Sequence, residues 1–165
     1  EMNNKKYECF IANDNSNLQV VVSGLKKDIN LLSDDLNNKK IKNLKLNVSA
    51  PFHCKYMKTA SEKMASYIND LNMNELEKPI ISNVTASETS SSKEIKSLLI
   101  SQIEKKVRWL ESIEYMVNNG VKNFVEIGPG KVLSGLIKRI NKNVNIYSIN
   151  SDDDIKFLIN DKFKK

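Results

Sequence analysis

His53 is the only histidine in the chain, and it sits in the stretch APFHC at residues 50–54. An imidazole with its ordinary pKa near 6.5 can accept and return a proton at neutral pH, so His53 is the first candidate for general-base chemistry. It follows strand-like sequence and a proline, at the lip of an α/β region, where ligand sites in open α/β sheets collect. By position alone, a structural or surface histidine is the more economical reading. Cys54 is its sequence neighbour, but adjacent side chains in extended chain point opposite ways, which argues against a shared proton.

Two further stretches have chemical potential. In EIGPGKVLSGL, Gly128 and Gly130 flank Pro129 between a strand-like and a helix-like segment, and N–H groups at such a helix start can hold an anion. The pattern is neither GxGxxG nor a Walker motif, so a tight strand-to-helix turn explains it as it stands. Gln102 falls among Leu98, Leu99 and Ile103 on an apolar helical face, where a glutamine needs hydrogen-bond partners; a helix-end residue bonded to backbone is the plainer account. No GxSxG occurs, and Ser23 and Ser134 lack the strand–elbow–helix context of a nucleophilic serine. The residues thus offer a base without a nucleophile. Two cysteines and one histidine are too few for a structural zinc site, so no metal is expected.

These residues must be positioned by elements that the periodicity outlines. Residues 7–13 and 18–23 read as two strands, with NDNSN as the turn. Leu25, Ile29, Leu32 and Leu36 recur at helical spacing. Ile41, Leu44, Leu46 and Val48 alternate, which predicts a strand leading into Pro51. Met57, Ala60, Met64, Ile68 and Leu71 share one helical face. PIISNVT suits a short buried strand, and SETSSSKE holds a cap for the next helix, through Ile95 and Leu98 to Ile103. From residue 107 the chain alternates: a helix to 118, a stop at Gly120, the strand VKNFVEI, a helix over KVLSGLIKRI, the strand VNIYSI, and a helix over 152–161. Such alternation implies a parallel sheet with helices on its faces. The fold class is therefore α/β, in two parts, 1–50 and 51–165.

Composition narrows the partners. The chain has 165 residues, 40% hydrophobic and 28% charged, which suits a single globular domain or part of a larger one. No stretch approaches the ~20 apolar residues of a membrane helix, and EMNNKKYECF has neither an apolar core nor a small-residue cleavage site, so no signal peptide is read there. The net charge of +6 favours acidic partners, yet it is carried almost wholly by lysine: Arg108 and Arg139 are the only arginines. Lysine together with abundant asparagine fits an AT-rich coding bias. Nucleic-acid binding is discounted because no aromatic–basic interleaving is present.

Taken together and in order, NDNSNLQVVVSG, LNVSAPFHCKYM, PIISNVTA, SQIEKKVRWLESIEYM and VKNFVEIGPGKVLSGLIKRI resemble the malonyl-CoA:acyl-carrier-protein transacylase family across nearly all of residues 8–150. The resemblance implies an α/β-hydrolase-like large subdomain carrying an inserted ferredoxin-like small one. Residues 1–50 would be the later part of the small subdomain and 51–165 the C-terminal part of the large one. It implies ping-pong transfer of malonyl from CoA, through an acyl-serine, to the phosphopantetheine thiol of acyl carrier protein in type II fatty-acid synthesis, with no cofactor. APFHC would place the catalytic histidine at His53, and SQIEKK would place at Gln102 the residue whose backbone carbonyl orients it. Asn15 would line the cleft. Phe52 resembles the phenylalanine of malonyl-selective relatives. The family's serine elbow, carboxylate-binding arginine and oxyanion-loop glutamine match nothing in this chain, and Arg108 and Arg139 fall on motifs that the family does not use for malonate. The resemblance thus points to the C-terminal part of a longer enzyme, inactive alone, with the upstream segment of the same enzyme as partner. Residence in the cytoplasm or a plastid-type organelle is expected. A non-catalytic carrier-protein-binding module and a polyketide-type acyltransferase are the alternatives.

Overall fold

The computed structural model describes residues 7–161; the reading of the first six residues as something other than a signal peptide lies outside them. The class is α/β, with small sheets and six α-helices among the described residues. The chain divides into two compact units, Glu1–Ser112 and Ile113–Lys165.

The first unit opens on an antiparallel hairpin of β1 (Cys9–Ser16) and β2 (Gln19–Gly24). Ser16 pairs with Gln19, so the connection is only Asn17 and Leu18, and the pairing slips between Ile11 and Asn13 and between Asp14 and Ser16. The expected turn over NDNSN is therefore mostly strand. The bulges absorb its turn-prone residues without ending the ladder. Gly24 is required at the far end, where an added Cβ would lie 2.8 Å from the Glu8 carbonyl oxygen. Helix α1 (Lys26–Asn38) follows.

Residues 41–48 differ from expectation. Their apolar–polar alternation is real, but they form no strand, and Ile41, Leu44, Leu46 and Val48 are exposed, Leu44 at 84%. Alternation is only half of a strand; the other half is a neighbour to receive the backbone hydrogen bonds, and no described segment supplies one. Side chains tether the segment to α1 instead: Ser33 donates to Asn43, and Lys45 to Asn30.

A turn of 3-10 helix (Lys55–Met57) runs into α2 (Lys58–Asp70). Ser61 and Ile68 face inward, while Met64 is exposed, so the buried face is narrower than the apolar spacing implies. PIISNVT contributes only the two-residue β3 (Ile80–Ile81), paired antiparallel with β4 (Glu88–Thr89). Helix α3 (Ser92–Ser101) begins where Ser91 accepts the Glu94 N–H through its hydroxyl, and the Glu94 carboxylate accepts from Thr89. This is the serine cap that the Ser/Thr loop led us to expect. Ala12, Leu32, Cys54, Ile68, Ala86, Ile95 and Val107 form the buried apolar set of this unit.

Helix α4 (Trp109–Asn118) starts two residues later than its periodicity suggests, because Val107 is held in a parallel bridge to Asn13. In the second unit, Gly120 ends that helix at φ +87°, and β5 (Asn123–Ile127) and β6 (Asn145–Ile149) pair in parallel around α5 (Val132–Ile140). The last helix, α6 (Asp152–Asp161), packs on β6. Ile113, Phe124, Leu136, Ile137 and Leu158 are buried here.

The GPG turn joins β5 to α5 with Gly128 at φ +129° and Gly130 at φ +95°, conformations that favour glycine. The first helical N–H groups are not free for a ligand: Glu126 accepts from Leu133 and Ser134 at 3.0 and 2.8 Å. The turn is a strand-to-helix connection closed by its own carboxylate.

Replacing Ser91 by Ala should cost about 1 kcal/mol of stability, checked by denaturant unfolding. The Ser134 hydroxyl first, then the Ser134 and Leu133 N–H groups, hold the Glu126 carboxyl below its ordinary value of 4.5. A carboxyl lowered by folding gives its full stabilisation above the unfolded pKa and loses it as pH falls through the lower native value. Tm should therefore fall on acidification below about pH 4.5, and Glu126→Gln should flatten that fall.

Candidate functional site

His53 lies on the loop between the 41–48 segment and the 3-10 turn, with φ +58°, in the left-handed region where histidine is more tolerated than bulkier residues. Its neighbours hold the loop in that shape. The Ser23 hydroxyl, at the end of β2, donates to the Phe52 carbonyl at 2.6 Å. The Cys54 thiol donates to the Pro51 carbonyl at 3.0 Å, and Cys54 itself is only 2% exposed. The thiol is thus spent on local backbone and core. Phe52 is 45% exposed.

Across the unit, His53 Nδ1 lies 2.8 Å from the backbone carbonyl oxygen of Gln102. The helix explains why that oxygen is available. Gln102 is the C-cap of α3, not an interior position: its N–H donates to Leu98, and the following turn uses the carbonyls of Ile100 and Ser101. The last carbonyls of a helix lack partners further along it, so Gln102 presents an acceptor where the chain turns. That turn is pinned beyond by Val107, whose N–H donates to Ala12 and whose carbonyl accepts from Asp14, at 2.8 and 2.9 Å. Lys106 adds ion pairs to Asp14 and Glu111.

A carbonyl only accepts, so the bond requires the proton on Nδ1 and leaves the Nε2 lone pair as the acceptor. A half-buried imidazole fixed in this tautomer is ready to take a proton at Nε2.

The structure brings His53 and Gln102 together, with Phe52 adjacent. Asn15 lies half-buried in β1, two residues beyond the bridge to Val107, and makes no hydrogen bond to His53 among the described residues. Arg108 is engaged elsewhere. Its guanidinium forks onto the Glu111 carboxylate and donates to the carbonyls of Val84 and Thr85. Glu111 raises its pKa in return. Arg139 lies in the last turn of α5, in the second unit. Sequence reasoning did not single out Ser23 or Cys54 as supports of the His53 loop; a hydroxyl reaching 29 residues along the chain leaves no trace in local periodicity. Among the described residues no cluster of three or more His, Cys, Asp or Glu could hold a metal ion, and no helix is long and apolar enough to cross a membrane.

Curated malonyl CoA-acyl carrier protein transacylases from Staphylococcus aureus and Bacillus subtilis are 40% and 37% identical to this chain over 148 and 150 residues. The alignments cover 88% and 90% of this chain but 47% of each relative, within its C-terminal part. The chain is homologous to the C-terminal part of the malonyl CoA-acyl carrier protein transacylases. Crystal structures agree with this assignment. The acyl-carrier-protein-S-malonyltransferase of Bartonella henselae superposes with TM-score 0.87 at 38% identity, covering 92% of this chain and 48% of that one. A malonyl-transacylase in complex with its type II polyketide acyl-carrier protein gives TM-score 0.87 at 32% identity, with 93% and 50% covered. This chain thus spans about half the length of the transacylases it matches. No protein-family profile matches it.

Because His53 is the only histidine, one imidazole signal reports this site. Long-range 1H–15N spectra should show neutral His53 protonated at Nδ1. An Nε2–H tautomer would break the argument from the Gln102 carbonyl.

Proposed function

We propose that this chain is the histidine-bearing part of a malonyl transferase that moves malonyl from CoA to the phosphopantetheine thiol of acyl carrier protein through an acyl-serine. The observation that carries the proposal is the hydrogen bond from His53 to the Gln102 carbonyl, found in a chain homologous to transacylases. In this reading His53 Nε2 takes the proton of a serine hydroxyl as it attacks the thioester carbonyl of malonyl-CoA. The imidazolium then gives that proton to the departing CoA sulfur. The second half-reaction runs the same steps in reverse, with the carrier thiol as acceptor. Gln102 does through a neutral carbonyl what the carboxylate does in a Ser-His-Asp triad: it fixes the tautomer and steadies the imidazolium. Phe52 and Asn15 would border the acyl group.

The serine, the malonate-binding arginine and the oxyanion donors would come from a segment upstream in the same enzyme, and without it the chain would not turn over. The exposed alternating residues Ile41, Leu44, Leu46 and Val48 suit a strand of a ferredoxin-like subdomain that pairs with that segment. Residues 1–50 would then be the later part of that subdomain and 51–165 the C-terminal part of an α/β-hydrolase-like one. The named relatives are bacterial, which favours a cytoplasmic enzyme over a plastid one.

The test is intact-mass analysis of a polypeptide joining this chain to a transacylase N-terminal part. Malonyl-CoA should leave a malonyl adduct on a serine, and His53→Ala should slow its formation by about 10²- to 10⁴-fold, the usual contribution of a general base. Undiminished acylation of that variant would remove His53 from the mechanism.

A further inference from the structure

His53 holds a left-handed backbone at φ +58°, and a residue keeps such a conformation only where its surroundings over-determine it. Both flanks of His53 are gripped by one feature, the open end of the β1–β2 hairpin. Phe10 and Ser23 face each other there as register partners. Ser23 reaches the residue before His53: its hydroxyl donates to the Phe52 carbonyl at 2.6 Å. Phe10 reaches the residues after it. Its ring meets the Tyr56 ring edge to face, with centroids 5.9 Å apart and planes at 80°, and the Lys55 ammonium lies over it at 5.4 Å.

Glu8, just ahead of β1, completes the grip. Its carboxylate accepts from the Tyr56 hydroxyl at 2.5 Å and pairs with the Lys55 ammonium. These donors, Lys55 first, hold the Glu8 carboxyl below its ordinary value of 4.5, and Glu8 in turn pushes the Tyr56 hydroxyl up to about 12. At neutral pH the carboxylate therefore accepts and the phenol donates. The contacts are unequal. Lys55 and Glu8 keep 56% and 49% of their side-chain surface in water, and an exposed ion pair of this kind contributes little. Tyr56 is half-buried, with its ring on Phe10 and its hydroxyl on Glu8, so it holds the downstream flank as Ser23 holds the upstream one. None of these bonds is made to the imidazole. They act on the backbone that carries it, and so on the 2.8 Å approach of Nδ1 to the Gln102 carbonyl.

We propose, resting on the reading of His53 as the general base, that the open end of the hairpin is a clamp that fixes His53 for proton transfer, with Ser23 and Tyr56 as positioning residues acting through the backbone on either side of it. Ser23, which lacks the setting of a nucleophile, thereby has a part in the reaction without touching the reacting atoms.

The test observes His53 directly in the 165-residue chain and its consequence in the polypeptide joined to a transacylase N-terminal part. Long-range 1H–15N spectra of Ser23→Ala, Tyr56→Phe and the double variant should show an Nε2–H tautomer rising at the expense of Nδ1–H, most in the double variant. In the joined polypeptide each single change should slow single-turnover malonylation at saturating malonyl-CoA roughly three- to tenfold, the contribution of one hydrogen bond, with the half-saturating concentration unchanged. Ser23→Thr keeps the hydroxyl and should restore both readouts. Tyr56→Phe keeps the ring on Phe10, so it tests the clamp even where Ser23→Ala fails to fold. A lowered Tm in the double variant, with the tautomer and the rate unaltered, would leave these contacts structural and overturn the clamp. His53→Ala in the same assay separates the two ideas. Acylation undiminished there defeats the reading of His53 as the base; acylation lost there but kept at the wild-type rate in the double variant defeats the clamp alone.

Discussion

The hydrogen bond between His53 Nδ1 and the Gln102 carbonyl joins residues 49 positions apart in the chain, and much of the first unit is arranged to keep it. It needs a helix that stops at the right place, so that a backbone carbonyl is left without a partner. It also needs a loop that turns through a left-handed residue, so that the imidazole meets that carbonyl. Neither requirement is met by propensity alone. The helix end is pinned by Val107 in its bridge to β1, and the loop is tied to β2 by Ser23. A strained residue of this kind persists only where its surroundings over-determine it, and His53 has neighbours on both sides that do so.

The arrangement uses a neutral acceptor in place of a carboxylate. A carbonyl fixes the tautomer as a carboxylate does, because it can only accept the Nδ1 proton. The Arg108–Glu111 pair in the same unit is structural. Its guanidinium closes the carbonyls of the 82–86 turn, and this sets the start of α4 rather than a substrate pocket.

The local chemistry was legible in the linear order. Ser91 as a cap, Gly120 as a helix stop, Gly128 and Gly130 as a turn, and the alternation after residue 107 all follow from steric and hydrogen-bonding preferences that act within a few residues. The ordered motifs around His53 and Gln102 pointed to a transacylase, and the homologues agree. Two readings fell short for one reason. The 41–48 strand and the inward Met64 each assumed that an apolar pattern finds a partner, and pattern does not supply one. PIISNVT does pair, with β4, but over two residues only. The reach of Glu126 from β5 to the start of α5 was missed because a carboxylate reaching over a turn leaves no periodic signal.

By itself the sequence determined which residue types were available: one imidazole, no elbow serine, two arginines, and a lysine-borne charge. It also determined where helices could begin and end, since caps and glycines act locally. Only the tertiary structure decided which nitrogen of His53 carries the proton. It also decided that the Arg108 guanidinium reaches the carbonyls of Val84 and Thr85, and that Ser23 supports the His53 loop through the Phe52 carbonyl. Each of these depends on atoms far apart in the chain coming within hydrogen-bonding or electrostatic range, and that proximity exists only once the chain has folded.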